Sequence, residues 1–366
     1  MEVLTLIIVL VLLVLVHEFG HFVVAKWSGM RVDEFGVGYP PRLIGFKYGE
    51  TEYTLNALPF GGFVRIYGED LETPRGGKAP ARSFASKPRS LQALVLIAGI
   101  AMNLLLAFLI LTAILAAGAP RELASAEVAQ AKDAHLAVAA VLPSSPAAAS
   151  GLMPGDYILS ATYGSQTYTG LTPEGFTAFI AADPGQAIAL RVDRAGKVIT
   201  LTATPTSGIV PSEPKRLALG VGVATVGTVP LPITRAAYYG ALTTWEYTKE
   251  TAVGLWHLFL GIVTFTADFS QVSGPVGIAG AVGSASSAGL GSLLSLVALI
   301  SINLALINVL PIPALDGGRL LFVIIEAITR RPIRPKVAGT VNTVGFALLV
   351  LLMIVVTGHD IYKLVV

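Results

Sequence analysis

Two histidines and a glutamate stand close together in an otherwise apolar stretch near the start of the chain. The segment LVLVHEFGHFVVAKW contains His17, Glu18 and His21 in the pattern H-E-x-x-H, and the apolar run that begins at Val3 has no charged side chain before them. Residues four apart share one face of a helix, so both imidazoles can bind one Zn²⁺ ion. Glu18 can then act as a general base without being a ligand. The pattern predicts a catalytic zinc site.

A buried polar network that ties helices together is the alternative interpretation of this motif. Ionisable side chains within a membrane span cost about 3 kcal/mol or more each, so they usually have a partner and a function. We therefore favour metal binding, and the rest of the chain has to supply the partner.

A third ligand is expected, because catalytic zinc usually keeps three protein ligands and one open position. The candidate is Asp316, which lies in the segment NVLPIPALDGGRL. Pro311 and Pro313 are expected to break a helix there, since proline lacks an N–H donor. A broken helix at membrane depth is tolerated where it lines a cavity, which suits an active site.

The elements that position these residues are predicted to be membrane helices. Of the 366 residues, 54% are hydrophobic and 13% are charged, about half the charged fraction of a typical soluble domain. Four apolar segments are long enough to span a bilayer. They are Val3–Lys26, Ser90–Gly118, Leu290–Leu310 and Val337–Val356.

Lysine and arginine are concentrated between the first two spans and between the last two. This pattern places both connections in the cytoplasm, and it places residues 119–288 with both termini on the other side. His17 and Asp316 then lie toward the cytoplasmic ends of their segments, at matching depth. The agreement supports one shared site.

Residues 119–210 contain short runs of alternating apolar and polar residues, which predict a small strand-rich domain. Its segment VLPSSPAAASGLMPGDYILS resembles a PDZ domain, a module that binds extended peptides and often their C-terminal carboxylate. Another small β module that acts as a spacer is the alternative.

Two further segments surround these elements. The glycine and proline pattern of residues 31–64 predicts β-hairpins. In residues 211–289 we expect an amphipathic helix lying on the membrane surface, with an extra span as the alternative. A flexible Gly/Ser-rich loop is expected to follow that helix.

Together, H-E-x-x-H in the first span, the N-x-x-P-x-P-x-L-D-G-G stretch and the module between them resemble the site-2 protease family, in its bacterial single-PDZ form. These are intramembrane zinc metalloproteases. The resemblance implies that His17, His21 and Asp316 are zinc ligands and that Glu18 is the catalytic base. It also implies that Asn303 and Asn308 handle substrate; interhelical hydrogen bonding is the alternative role for these two.

The implied architecture is a polytopic α-helical membrane protein with an inserted extracytoplasmic PDZ-like domain and a membrane-associated β-hairpin. Its predicted parts are an N-terminal membrane part (1–118), the PDZ-like domain (119–210), the interfacial segment (211–289) and a C-terminal membrane part (290–366).

The resemblance also implies partners and a location. The expected substrates are single-span proteins such as anti-sigma factors or remnant signal peptides, in a bacterial plasma membrane. A peptide C-terminus at the PDZ-like domain is a further expected partner.

Composition narrows the function further. The chain has no cysteine, which excludes disulfides and thiolate metal sites, and its net charge of +2 gives no support for nucleic-acid binding. A membrane metal transporter and a non-catalytic PDZ scaffold are the alternative functions. The transporter would be expected to carry further ionisable residues within its spans.

Overall fold

The computed structural model divides the chain into two compact units. One combines Met1–Ile114 with Ile233–Val366, and the other is the middle segment Leu115–Pro232. We call them the membrane unit and the β-rich unit. The residues described are 2–69, 81–118, 121–124, 127–182, 185–194, 196–209, 213, 215–264, 266 and 274–365.

Four helices among the described residues are long and apolar enough to cross a bilayer, which confirms the number predicted from the sequence. They are α1 (Glu2–Trp27), α2 (Arg89–Ala117), α7 (Leu290–Val309) and α9 (Pro335–Val365). A helix of about 20 residues at 1.5 Å per residue matches the roughly 30 Å hydrocarbon thickness. The chain is a multi-pass membrane protein.

Other helices of the membrane unit are shorter or more polar. They are α5 (Ile233–Val263), α6 (Pro275–Ser287) and α8 (Asp316–Thr329). Helix α5 packs against α7 and is not among the candidate spans. Its Trp245 and Trp256 are exposed.

The prediction of a loop in the Gly/Ser-rich stretch is wrong for residues 275–287, because these residues form helix α6. Pro275 occupies the first turn, where proline is well tolerated. The carboxylate of Asp360, in α9, accepts a hydrogen bond from the backbone N–H of Gly277 at 2.8 Å. The helix packs against α1 and α7. These tertiary contacts outweigh the low helix propensity of glycine.

The hairpin predicted in residues 31–64 is present as one antiparallel pair, β1 (Val32–Tyr48) and β2 (Thr51–Ile66). Gly49 takes a φ of 61° in the turn, a conformation that glycine adopts without strain. The rings of Phe22 on α1 and Phe35 on β1 lie 5.4 Å apart between centroids. The hairpin therefore packs against the helix that carries H-E-x-x-H.

A buried apolar cluster joins the hairpin to the helices around it. The cluster brings together side chains of α1, α2, β1, β2 and α8, and its members include Ala25, Val32, Ile66, Leu96 and Val323. Because interiors of proteins are close-packed, such a cluster holds these elements in a defined arrangement. It provides the rigid support on which a functional site can be built.

In its described residues, the β-rich unit consists of an antiparallel sheet of seven strands and two short α-helices. Its order is β3-β9-β4-β5-β7-β8, and β6 pairs with β5. The strands are β3 (Arg121–Glu122), β4 (Lys132–Val141), β5 (Tyr157–Tyr163), β6 (Gln166–Tyr168), β7 (Ile188–Arg194), β8 (Lys197–Ala203) and β9 (Val221–Thr228). The helices are α3 (Pro146–Ala149) and α4 (Pro173–Ala181).

The core of this unit lies between the sheet and α4. Leu136, Ile188 and Leu190 on the strands are fully buried, as is Phe176 on the helix. Period-two alternation in β7 puts Ile188, Leu190 and Val192 on the buried face. Strand β9 lies beyond residue 210, so the compact unit extends past the predicted end of the PDZ-like segment.

Candidate metal centre

His17 and His21 lie one helical turn apart on α1 and are 6% and 7% exposed. Their Nε2 atoms are 3.1 Å from each other. Oδ2 of Asp316 lies 2.8 Å from Nε2 of His17 and 3.2 Å from Nε2 of His21. The structure thus brings the three predicted ligands together in a nearly equilateral triangle of donor atoms.

This triangle fits a zinc ion. Bonds of about 2.0–2.2 Å at tetrahedral angles separate neighbouring ligand atoms by roughly 3.3 Å. The observed edges of 2.8, 3.1 and 3.2 Å are close to that separation. Two imidazoles and one carboxylate form a donor set common in catalytic zinc sites, where the fourth position stays open.

Asp316 reaches the histidines because the helix breaks where the prolines predict it. Helix α7 ends at Val309 and α8 begins at Asp316. Between them lies the segment with Pro311 and Pro313, whose missing N–H groups prevent continuous helix formation. The carboxylate therefore stands at the start of a new helix.

Two glycines allow α8 to start directly against the end of α7. A β-carbon at Gly317 would lie 2.3 Å from the carbonyl oxygens of Val309 and Leu310. A β-carbon at Gly318 would lie 2.3 Å from the carbonyl oxygen of Ile312. Such distances leave no room for a side chain, so these glycines are needed to place Asp316.

Helix α2 contributes groups that the sequence analysis did not assign to the site. Nδ1 of His21 donates to the carbonyl oxygen of Val95 at 2.8 Å, which leaves Nε2 with its lone pair. Nδ2 of Asn103 lies 3.3 Å from Nδ1 of His17. A polar amide in an apolar span was the available signal for Asn103. No sequence pattern marks the carbonyl of Val95.

Glu18 lies beside the hairpin and is half-buried. Its Cγ would be 3.8 Å from a β-carbon built at Gly62 on β2. A β-carbon at the preceding Gly61 would lie 3.6 Å from Cγ1 of Val14, on the turn of α1 before the motif. β2 thus passes within van der Waals distance of α1 next to the predicted general base.

Asn303 and Asn308, the two predicted substrate-handling residues, lie on α7 and are half-buried. Among the described residues, neither amide makes a hydrogen bond with the three metal-facing side chains.

Two ion pairs fasten α8 to its surroundings. Arg319 is 2.7 Å from Glu69, which follows β2, and Glu69 is 11% exposed. Arg89, at the start of α2, is 2.7 Å from Glu326. Partly buried pairs of this kind hold elements in register more than they add stability. They connect the helix that carries Asp316 to both α2 and the hairpin.

A family model described as peptidase family M50 matches residues 5–352 of the chain. The chain belongs to peptidase family M50. Nearly the whole chain is matched, so family membership covers both the membrane unit and the β-rich unit.

Relatives of this M50 peptidase carry names that agree with the donor set. A Clostridium perfringens protein named as a candidate zinc metalloprotease is 36% identical over 349 residues, covering 95% of each chain. The zinc metalloprotease RasP of Geobacillus kaustophilus is 30% identical over 438 residues, covering 99% of this chain and 98% of its own. The protein is accordingly an intramembrane zinc metalloprotease of the site-2 type.

Proposed function

We propose that this M50 peptidase hydrolyses peptide bonds within transmembrane segments, with His17, His21 and Asp316 holding zinc and Glu18 acting as the general base. The observation that carries the proposal is the triangle of donor atoms, which lies among helices long enough to span a bilayer. A substrate helix can reach such a site without leaving the membrane.

The chain's own groups have defined tasks in this reaction. Zinc, when bound, supplies a Lewis acid that polarises the scissile carbonyl and activates water near neutral pH. Glu18 takes a proton from the attacking water and delivers it to the leaving amine. The hydrogen bond from Nδ1 of His21 to the carbonyl oxygen of Val95 fixes the orientation of this imidazole and leaves Nε2 unprotonated.

The hairpin is suited to hold an unwound substrate. A peptide bond in a helix is shielded by its own hydrogen bonds, so the substrate must open before water can attack. Residues 34–37 of β1 pair with both halves of β2, so the outer edges of this sheet are residues 42–48 of β1 and 62–66 of β2. An extended segment can add to such an edge as a further strand. Because β2 passes beside Glu18, a strand added there would lie near the general base.

Asn303 and Asn308 are proposed to contact that substrate segment. Their positions on α7 are half-buried rather than enclosed. An extended segment offers backbone N–H and C=O groups that an amide side chain can bind in pairs. This supports a substrate role over interhelical bonding for both residues.

The β-rich unit is proposed to be PDZ-like and to face away from the cytoplasm. A groove of about 410 Å³ runs between α4 and the start of β9, with Phe176 and Ile180 on one side and Val221 on the other. β3 pairs with Val226 and Gly227, farther along β9. An extended peptide with a free C-terminus fits this arrangement by strand addition.

A bacterial plasma membrane is the proposed location, with single-span membrane proteins as substrates. The basic residues beside the metal centre's end of the spans support a cytoplasmic orientation for that end. Charged side chains such as Arg330 and Arg331 follow α8 directly and are exposed. The metal centre would then receive water from the cytoplasmic side.

The test compares wild type with Glu18→Gln, using full-length protein purified in detergent and a model single-span substrate. Zinc content is measured on each preparation. Glu250→Gln serves as the matched control, because Glu250 is an exposed glutamate on α5. We expect wild type and the control to cleave, and Glu18→Gln to bind zinc without cleaving.

Other outcomes point elsewhere. Wild-type protein without zinc contradicts the metal centre. Cleavage by Glu18→Gln at the wild-type rate contradicts the assignment of the base. Zinc binding without cleavage of any single-span substrate, combined with zinc uptake into vesicles, would support the transporter instead.

A further inference from the structure

Asn103 is a fully buried amide that meets the imidazole of His17. It lies on α2, is 0% exposed, and its Nδ2 lies 3.3 Å from Nδ1 of His17. The other amide atom, Oδ1, is buried and has no hydrogen-bond partner among the described residues. The recorded polar contact of this amide is therefore on the side that faces His17.

The chemistry of His17 decides which amide atom faces the ring. For Nε2 to bind a metal ion it must carry a lone pair, so the proton of the neutral imidazole is on Nδ1. An amide nitrogen at this position would place the N–H donor of Asn103 against the Nδ1–H donor of His17, and no hydrogen bond could form between them. The oxygen and nitrogen of an amide are assigned from the hydrogen-bond network, and a half-turn of the group exchanges them.

We propose that Asn103 is a positioning residue of the metal centre: its Oδ1 accepts a hydrogen bond from Nδ1–H of His17 and thereby fixes Nε2 as the metal-binding atom. The inference rests on the metal centre proposed above. Outer partners of this kind orient the ring and make the ligating nitrogen more basic. Asn103 does this for His17 as the carbonyl of Val95 does for His21.

One face of α2 is built for this task. Val95, Gly99 and Asn103 follow each other at intervals of four residues and therefore line the same face of the helix. The first and third supply acceptors, one for each histidine. Gly99, between them, leaves space for both rings, since a β-carbon there would lie 2.5 Å from Nε2 of His21 and 2.8 Å from Cε1 of His17.

The packing of α2 against α7 does not explain why position 103 carries an amide side chain. The contact of α2 with α7 uses the backbone of Asn103, whose carbonyl oxygen accepts a hydrogen bond from Oγ of Ser301 at 2.8 Å. A change of the side chain leaves this backbone contact available. An effect of such a change on zinc affinity can therefore be assigned to the amide group.

The experiment measures zinc affinity of full-length protein in detergent by competition with a chelator, without substrate. Asn103→Leu keeps a similar volume and removes the acceptor, whereas Asn103→Asp keeps an acceptor and removes the donor. Thr112→Val is the matched control, because Thr112 is buried on α2 and its Oγ1 has no partner among the described residues. His17→Ala reports loss of a ligand.

We expect Asn103→Leu to bind zinc about 10- to 100-fold more weakly than wild type. Asn103→Asp and Thr112→Val should stay close to wild type. Wild-type affinity in Asn103→Leu would overturn the inference. So would a loss in Asn103→Asp with Thr112→Val normal, because the amide would then act as a donor.

Two further outcomes of this experiment also have a defined meaning. If Asn103→Leu does not fold, Asn103→Asp decides alone, since an ionised carboxylate accepts hydrogen bonds and donates none. If His17→Ala binds zinc as tightly as wild type, the metal centre itself is wrong and the inference falls with it.

Discussion

Gly99 and His21 stand so close that a β-carbon on the glycine would lie 2.5 Å from Nε2 of the imidazole. The two residues belong to α2 and α1, whose backbones also approach closely at Gly20, where a β-carbon would lie 2.4 Å from the carbonyl oxygen of Ala98. Glycine at these positions lets one helix present its backbone directly to the metal centre on the other.

Replacing Gly99 by alanine should therefore displace both histidine rings and abolish zinc binding. Zinc content and substrate cleavage measure the effect. Gly339→Ala is the control, because a β-carbon at this helical glycine of α9 would meet no atom within 4 Å beyond its chain neighbours and its own helix backbone. It should keep zinc and gain about 0.5–1 kcal/mol of stability, because alanine favours helices over glycine. Normal zinc content in Gly99→Ala would show that the rings can move aside.

Asp316→Asn should weaken zinc binding while the fold is retained. The amide keeps the shape of the side chain but removes the negative charge that lies 2.8 Å from Nε2 of His17. The loss should exceed the about 10- to 100-fold effect expected for an outer partner, because a ligand itself is changed. Chelator competition measures it, and thermal unfolding without zinc checks the fold. An unchanged affinity would remove Asp316 from the ligand set.

Asn303→Leu and Asn308→Leu should lower cleavage without lowering zinc affinity. Among the described residues, neither amide makes a hydrogen bond to the metal-facing side chains. Removing either amide should therefore affect substrate cleavage and leave zinc affinity unchanged. Kinetics on a single-span substrate and chelator competition on the same samples separate the two effects. A parallel loss of zinc would assign these residues to helix packing around the centre instead.

The β-rich unit should lose stability in acid through Asp156. This carboxylate is 1% exposed and receives bonds from Arg194 at 2.7 Å and from the backbone N–H of Met153 at 2.9 Å. The bond from Arg194 is the chief reason that the pKa of Asp156 lies below its usual value. Its stabilisation is present above the unfolded-state pKa of about 3.9 and disappears as pH falls through the lower folded value.

Asp156→Asn should accordingly lower stability by about 2 kcal/mol at pH 7, and the difference should vanish in strong acid. Unfolding of full-length protein, followed through the β-rich unit by proteolysis across pH, measures this. Asp133→Asn is the control, since Asp133 is exposed and has a φ of 52° that asparagine accepts. A difference that does not depend on pH would point to packing rather than charge.

Much of the site follows from rules that act over a few residues. The spacing of His17 and His21 puts them on one helical face. The prolines before Asp316 interrupt the helix because of their own covalent geometry. Apolar length alone identifies the four spans. These features could be predicted because each depends on local geometry or on the thickness of the bilayer.

The hydrogen-bond partners of the two histidines on α2 could not be predicted in this way, because they depend on how α2 packs against α1. Val95 offers a backbone carbonyl, which every residue possesses, and its role arises from the close approach of α2 to α1. Helix α6 shows the same limit, because glycine-rich sequence predicts a loop while Asp360, far along the chain, supports a helix. Contacts between distant segments decide both cases.

The separation of the metal-facing residues along the chain has a consequence for biosynthesis. Asp316 follows His17 by 299 residues, so α1 enters the membrane long before α8 has been synthesised. Membrane segments emerge from the ribosome in order, N-terminal parts first. Until α8 is in place, the histidines lack their carboxylate partner. A nascent chain that ends before Asp316 therefore lacks one of the three side chains of the candidate metal centre.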